Sequence, residues 1–398
     1  MRSGHRNRTG LSANRAKSST RVWAAAGGLG GLAVLCGPAL AQTPSFEIIP
    51  PQAGFDFFKP SDISDQGIVV GSSYLNIGNP IGALAGRYVP GVGGTQYTFY
   101  PSNVSPGLLI SGDGSAVAGR RLSSGAGDPG GPTVWYPDGS FHIIPRPIVQ
   151  GLTTNVVFQS LNHDGTSAAL TYHPFPNNPT AQGSAVYRWT LQDNIAQLPP
   201  SPLLGTTYSF VNGMSDDGRY IVGRMAPNTN FPDAPFAWDT QQNTLVPLLD
   251  ENGQVMTTGV ATTISGDGHT IFANARIIVD GVSTFWTDGQ PFTGVFPSDA
   301  SYDASVLVGL LGTPDGLGAW VWTESTGAVR ANDYFRSFGL NFPATARIRD
   351  LMVSGDGRHF AGWIESGSAG FVVTIPAPGA AVSLTLGGIL ATTRRRRR

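Results

Sequence analysis

The chain has 398 residues, 13% of them charged, with 53 Gly and 30 Pro, which suits either two ordinary domains or one large all-β domain of short strands and many turns. Its net charge of −1 conceals two basic ends: residues 1–41 hold six basic residues and no acidic one, and residues 394–398 are all arginine. The 14 basic and 26 acidic residues between them give a body of about −12, which excludes nucleic acid as a partner because phosphate binding requires the opposite sign.

The first predicted element is an export signal. A basic stretch leads into the apolar run Val22–Ala41, which closes on Ala39-Leu40-Ala41 before Gln42. Small residues at Ala39 and Ala41 are what signal peptidase accepts, so the cut is expected between Ala41 and Gln42. An uncleaved anchor of about twenty residues is the alternative. The sole cysteine, Cys36, lies inside this run, so the exported chain has no disulfide, zinc–thiolate site or thiol nucleophile.

Next comes a sevenfold repeat, a short Ser/Asn-x-Asp-Gly turn between apolar runs. The copies are Ser64-Asp65-Gln66-Gly67, Ser111-Gly112-Asp113-Gly114, Asn162-His163-Asp164-Gly165, Ser215-Asp216-Asp217-Gly218, Ser265-Gly266-Asp267-Gly268, Ser301-Tyr302-Asp303-Ala304 and Ser354-Gly355-Asp356-Gly357. Their ends lie 47, 51, 53, 50, 36 and 53 residues apart, a period in the range of propeller blades. The aspartates suit turn chemistry, and the glycines supply the positive φ of a tight hairpin.

Four strands are expected per copy. The first follows the turn, as in Ile68–Gly71, Ser115–Gly119, Arg219–Gly223, Ser305–Gly309 and Arg358–Gly362, and ends on a small residue where blades would converge. The second carries an aromatic residue: Tyr88, Trp135, Trp189, Trp238, Trp286 and Trp322. Such regular recurrence fits packing between neighbouring sheets better than a ring of sugar platforms. Third strands are expected at Gln96–Tyr100, Phe141–Ile144, Ile195–Leu198, Thr244–Leu249 and Pro291–Phe296. The fourth leads into the next turn, as at Leu108–Ile110, Val157–Leu161, Ser209–Met214 and Ile348–Val353. The last copy lacks its final two strands, and Ser45–Ile49 with Phe55–Phe58 would supply them. The expected fold is therefore an all-β, seven-bladed β-propeller over residues 42–375, closed by N- and C-terminal strands in one blade. A signal helix in 1–41 and a hydrophobic tail in 376–398 flank it.

The turn-and-strand pattern, with Pro235-Phe236-Ala237-Trp238 as its nearest segment, resembles the HAF-type repeats of bacterial extracellular proteins. That resemblance implies an exported β-repeat protein with no settled activity. The tail reads Pro376-Ala377-Pro378-Gly379, then apolar Ala380–Ala391, then Thr392-Thr393 and Arg394, Arg395, Arg396, Arg397 and Arg398. The arginines would be held on the cytoplasmic side. The order of proline motif, short apolar segment and basic cluster resembles the PEP-CTERM sorting signal, with Ala377 where that family has glutamate. The resemblance implies processing by a membrane transpeptidase of exosortase type, as a partner beside signal peptidase. A plain tail anchor is the alternative.

Chemistry is sparsely signalled. The long loops Tyr74–Ala83, Leu122–Pro132, Tyr172–Ser184 and Met225–Pro235 would share one rim, a candidate interaction face. His142, His163, His173, His269 and His359 show no metal-type spacing, and Lys17 and Lys59 are the only lysines. No catalytic, cofactor or strong metal site is expected. Weak calcium binding is conceivable at Asp216-Asp217-Gly218 or Asp250-Glu251-Asn252-Gly253, though neither follows the alternating oxygen pattern of calcium loops. The expected function is a non-catalytic secreted, cell-surface or matrix protein that binds polysaccharide or surface proteins. The alternative is a secreted propeller hydrolase or lyase acting on glycans.

Overall fold

The structure, a computed structural model, describes residues 43–376 apart from 76–80, 93–94, 97–107, 122–129, 146–154, 174–183, 193–194, 202–207, 228–231, 274–275, 286–295, 314–315 and 366–368. The signal residues Ala39, Ala41 and Gln42 and the tail from Ala377 to Arg398 lie outside the described residues.

β-rich runs, whose middle strands are buried on both faces, pair into seven antiparallel four-stranded sheets, arranged as a β-propeller. Blade 4 shows the pattern: Tyr208–Met214, Tyr220–Ala226, Ala234–Asp239 and Thr244–Val246 pair in sequence order. The first strand of each blade touches the first strand of the next, and blade 1 packs on blade 7 in the same way. These inner strands line a central cavity.

The pairing corrects the expected phase of the repeat. The Ser-x-Asp-Gly turn is a hairpin inside a blade, so the strand before it is the innermost strand of the same sheet. Ile348–Val353 thus pairs with His359–Ile364, and Leu109–Ile110 with Val117–Arg121. In blade 7 the fourth strand is Ser45–Ile49, paired with Ala369–Thr374 from Ser45↔Thr374 to Ile49↔Gly370. Phe55–Phe58 has a different place, because Phe57–Ile63 is the inner strand of blade 1. The shortest repeat departs most. In blade 5, Arg276–Val279 and Val282–Phe285 are the two outer strands, and Phe296–Ala300 already opens blade 6, displacing the strand expected at Pro291–Phe296. Trp286 lies just past that outer strand, outside the described residues.

Inner strands carry a bulge three to five residues before the turn, for instance between Pro60 and Asp62 and between Val211 and Gly213. The small residue of the second strand stands opposite it. A Cβ on Gly223 would run into the Phe210 carbonyl of its own sheet. The glycine therefore answers the bulge, and convergence of separate blades is not what selects it.

The core lies between blades. Trp135 packs with Val70 and Ala85 of blade 1, Trp189 with Ala116, Ala118 and Val134 of blade 2, and Trp238 with Ala169 and Val186 of blade 3. Tyr88 of blade 1 meets Ala361 and Val372 of blade 7. In blade 6 the fully buried indole is Trp320, two residues before the half-buried Trp322. A short helix that the sequence did not announce, Ala331–Ser337, follows blade 6. Its Phe335 joins Phe342, Phe360 and Phe371 in one aromatic nest, and Phe46 of the N-terminal strand stands 4.8 Å from Phe342.

Candidate functional site: the central channel and its mouths

The repeated turns use their own polar groups. In the copy at Ser215, the hydroxyl donates to Asp217 Oδ1 (2.6 Å), that oxygen accepts the Arg219 N–H (2.9 Å), and the hydroxyl accepts the Tyr220 N–H (2.9 Å). Asp113, Asp267, Asp303 and Asp356 repeat this arrangement. Asn162 substitutes for serine, with its amide nitrogen donating to Asp164 at 2.7 Å. The carboxyls of Asp113, Asp164 and Asp303 sit below the ordinary aspartate range: hydrogen bonds within the turn outweigh burial, which acts the other way. Each turn closes at positive φ, +68° at Gly218 and +57° at Ala304, while Gly67, Gly114, Gly165, Gly268 and Gly357 take the same region.

The residue after the leading Ser or Asn does something else. Main-chain groups at this level link blade to blade: Asp65 N–H to the Gly112 carbonyl (2.8 Å), Asp113 to His163 (2.9 Å), and His163 to Asp216 (3.0 Å). Asp216 then donates to Gly266 (2.8 Å), Asp267 to Tyr302 (2.8 Å) and Tyr302 to Gly355 (2.6 Å). At the junction of blades 7 and 1, the Asp356 N–H goes to the Asp65 carboxylate, 3.0 Å away. Asp65 is therefore not the turn-capping acid of its copy. Gln66 stands in that place, and Asp65 aligns with His163 and Asp216.

Side chains from this belt form one mouth of the channel. His163 Nδ1 lies 3.6 Å from Asp65 and 3.9 Å from Asp216. Glycines make room for them: a Cβ on Gly266 would sit 2.7 Å from Asp216 Oδ2, and one on Gly355 2.9 Å from Asp65 Oδ1. Burial pushes the Asp216 carboxyl up to about 6 and raises Asp65 as well, with His163 acting against both shifts.

The channel encloses about 460 Å³ and is lined by the inner strands. Asp62 and Asp299 occupy equivalent positions, two residues before their turns, and both stand half-buried on the wall. Each carboxylate bridges to the next blade. Asp62 accepts the N–H of Ile63 (2.8 Å) and of Ile110 in blade 2 (2.9 Å). Asp299 accepts the N–H of Ala300 (2.9 Å) and of Val353 in blade 7 (3.0 Å). Burial lifts Asp62 to about 7, helped by the charge of Asp299, and lifts Asp299 to about 6; the backbone donors oppose both shifts. The far mouth holds an ion pair between Lys59 and Asp350 at 2.8 Å.

The other singled-out residues are embedded. Trp135, Trp189 and Trp238 are buried, so they offer no platform for a sugar ring. Asp250 accepts the N–H groups of Asn252 and Gln254, and Glu251 pairs with Arg276 at 2.8 Å. Among the described residues, no group of three His, Cys, Asp or Glu side chains could hold a metal ion, and no helix is long and apolar enough to cross a membrane. The four long loops fall largely outside the described residues. Sequence reasoning missed Asp62, Asp299 and the Asp65–His163–Asp216 cluster. The signal available was a shared tripeptide, Pro60-Ser61-Asp62 and Pro297-Ser298-Asp299, whose aspartate stands two residues ahead of each turn.

No family model matches the chain, and no curated protein matches it. Solved propellers do. The β-propeller domain of the Trilobed protease from Pyrococcus furiosus aligns at TM-score 0.52 and 10% identity, over 80% of this chain and 95% of that one. An oligogalacturonate lyase from Vibrio parahaemolyticus aligns at TM-score 0.50 and 8% identity, over 84% and 98%. TolB from Acinetobacter baumannii aligns at TM-score 0.39 and 12% identity over 77% of this chain, which spans only 63% of TolB. At such identities the first two matches show the propeller fold alone.

Proposed function

We propose that this chain is an exported, non-catalytic binding protein, a propeller shut by its N-terminal strand in the last blade and presented at the cell surface or in the matrix. Signal peptidase would release it at Ala41, and an exosortase-like transpeptidase would act on the tail that starts at Pro376. Its ligand would be extracellular polysaccharide or another surface protein. One observation carries the reading: the turn carboxylates and the two channel-wall acids, Asp62 and Asp299, are engaged in holding backbone N–H groups, within a turn or across a blade junction. A glycan-array screen of the signal-free chain, paired with an assay for released oligosaccharide, tests it. Retention of one polysaccharide without fragments is expected; sustained release of fragments would overturn the reading.

The glycan-cleaving alternative has one observation in its favour. Asp62 and Asp299 line a single cavity, with burial holding their pKa values at about 7 and 6, a range useful for proton transfer. If cleavage is found, Asp62→Asn and Asp299→Asn are the variants that should abolish it.

A further inference from the structure

We infer that the turn face of the propeller is held toward the bilayer that carries the chain's own tail, leaving the opposite face for partners. The inference rests on the reading that the tail is held at a membrane, either as a plain tail anchor or before the transpeptidase acts on it. Both ends of the described chain leave from one place. Ser45 is the register partner of Thr374, and Thr374 is the partner of His359, which follows directly on the Ser354–Arg358 turn. The exit point therefore lies at the turn face, on the outer strands of blade 7. Ile375 is still part of the fold: its side chain is buried, and its N–H donates to the Arg358 carbonyl at 2.9 Å.

Length then decides the orientation. From Ile375 to Ala380, where the apolar segment begins, there are five peptide steps, which span at most about 18 Å fully extended. The opposite face lies a full strand away. From the Ile375 anchor back to Ala369 are six steps along the strand, about 20 Å at strand rise, before any loop is added. A tether shorter than the blade cannot bring the far face to the membrane that holds it. The near face carries the turn aspartates with Asp65 and Asp216, so an anionic surface would not draw it into tight contact. The short tether sets the orientation, and adhesion is not needed. The face left outward bears the Lys59–Asp350 mouth and the connection from Ile49 to Phe57 through the exposed Ala53.

The test uses the signal-free chain, residues 42–398, which has no native cysteine. Single variants Tyr302→Cys on the turn face and Ala53→Cys on the opposite face are labelled with a fluorophore and reconstituted in phosphatidylcholine–phosphatidylglycerol vesicles bearing a headgroup quencher. Flotation comes first: the chain should float with the vesicles, and a version ending at Pro376 should not. Failure to float removes the membrane-held tail and the orientation with it. Given flotation, quenching at position 302 should exceed that at position 53 by at least about twofold, since about 20 Å of blade separates the faces. A long Gly/Ser insertion between Pro378 and Ala380 should erase the difference. Equal quenching, or stronger quenching at position 53, in the uninserted chain would overturn the orientation while leaving the tail reading intact.

Discussion

Blade 4 and blade 7 have the same four-stranded sheet but different connectivity. Blade 4 is built from one continuous run, Tyr208–Val246, so each strand is brought to its neighbour by a short connection. Blade 7 takes three strands from Ile348–Thr374 and its outer strand from Ser45–Ile49, some 320 residues earlier. Within that blade the joint is five register pairs, reinforced by Phe46 in the aromatic nest and by Glu47, which accepts the Tyr88 hydroxyl hydrogen at 2.5 Å. The pairings of blade 4 need only short loop closures, although its core is completed by its neighbours. The outer strand of blade 7 pairs only when the two ends of the chain meet, so that joint carries the larger loop-closure cost.

Removing residues 43–49 should do the most damage. It uncovers the edge of Ala369–Thr374 and the nest beneath Phe46, so we expect loss of a single cooperative melt and aggregation on heating. Trimming the three-residue outer strand of blade 4, Thr244–Val246, should leave a cooperative melt at lower temperature. Equal outcomes by calorimetry would show that the N-terminal strand is not a special joint.

Trp238→Ala comes next. The indole is fully buried between blades 3 and 4, so the loss should be about 3–5 kcal/mol by denaturant titration. Gly218→Val follows, at about 1–3 kcal/mol, because φ is +68° there; a neutral effect would discredit the strain argument for the turn. The smallest effect is on pH. Burial raises the folded-state pKa of Asp62 to about 7 and of Asp299 and Asp216 to about 6. The folded form therefore keeps protons that the unfolded chain has released. That stabilisation is complete below the ordinary aspartate value and is lost as pH rises through about 7. The melting temperature should fall between pH 5 and pH 8, and Asp62→Asn should flatten the fall.

Local chemistry explains what could be read in the sequence. A Ser-x-Asp-Gly turn satisfies its own hydrogen bonds within six residues, so Ser215, Asp217 and Gly218 announce themselves wherever they occur. Repetition then gives the number of blades, and the inter-sheet role of Trp135, Trp189 and Trp238 follows from their spacing. Strand phase depends on pairing, for which the sequence holds one local clue: a four-residue turn is a hairpin, so the runs flanking it share a sheet. Ala331–Ser337 is too short to show helical periodicity and is held by tertiary contacts, with Asn332 donating to the carbonyls of Pro343 and Ala346. Asp62 and Asp299 were illegible for a different reason. Their meaning lies in which backbone N–H of the next blade they meet, and only the closed geometry states that.

The belt of main-chain hydrogen bonds that joins the turns has a consequence for mutability. Six of its seven links use only amide N–H and carbonyl groups, so they are indifferent to the side chain they pass. Asp65, Gly112, His163, Asp216, Gly266, Tyr302 and Gly355 already show how widely that position ranges. The mouth can be recoloured, acid for base or aromatic for hydrogen, while the scaffold keeps its shape; blade 1 is the exception, since its Asp65 is itself a fastener.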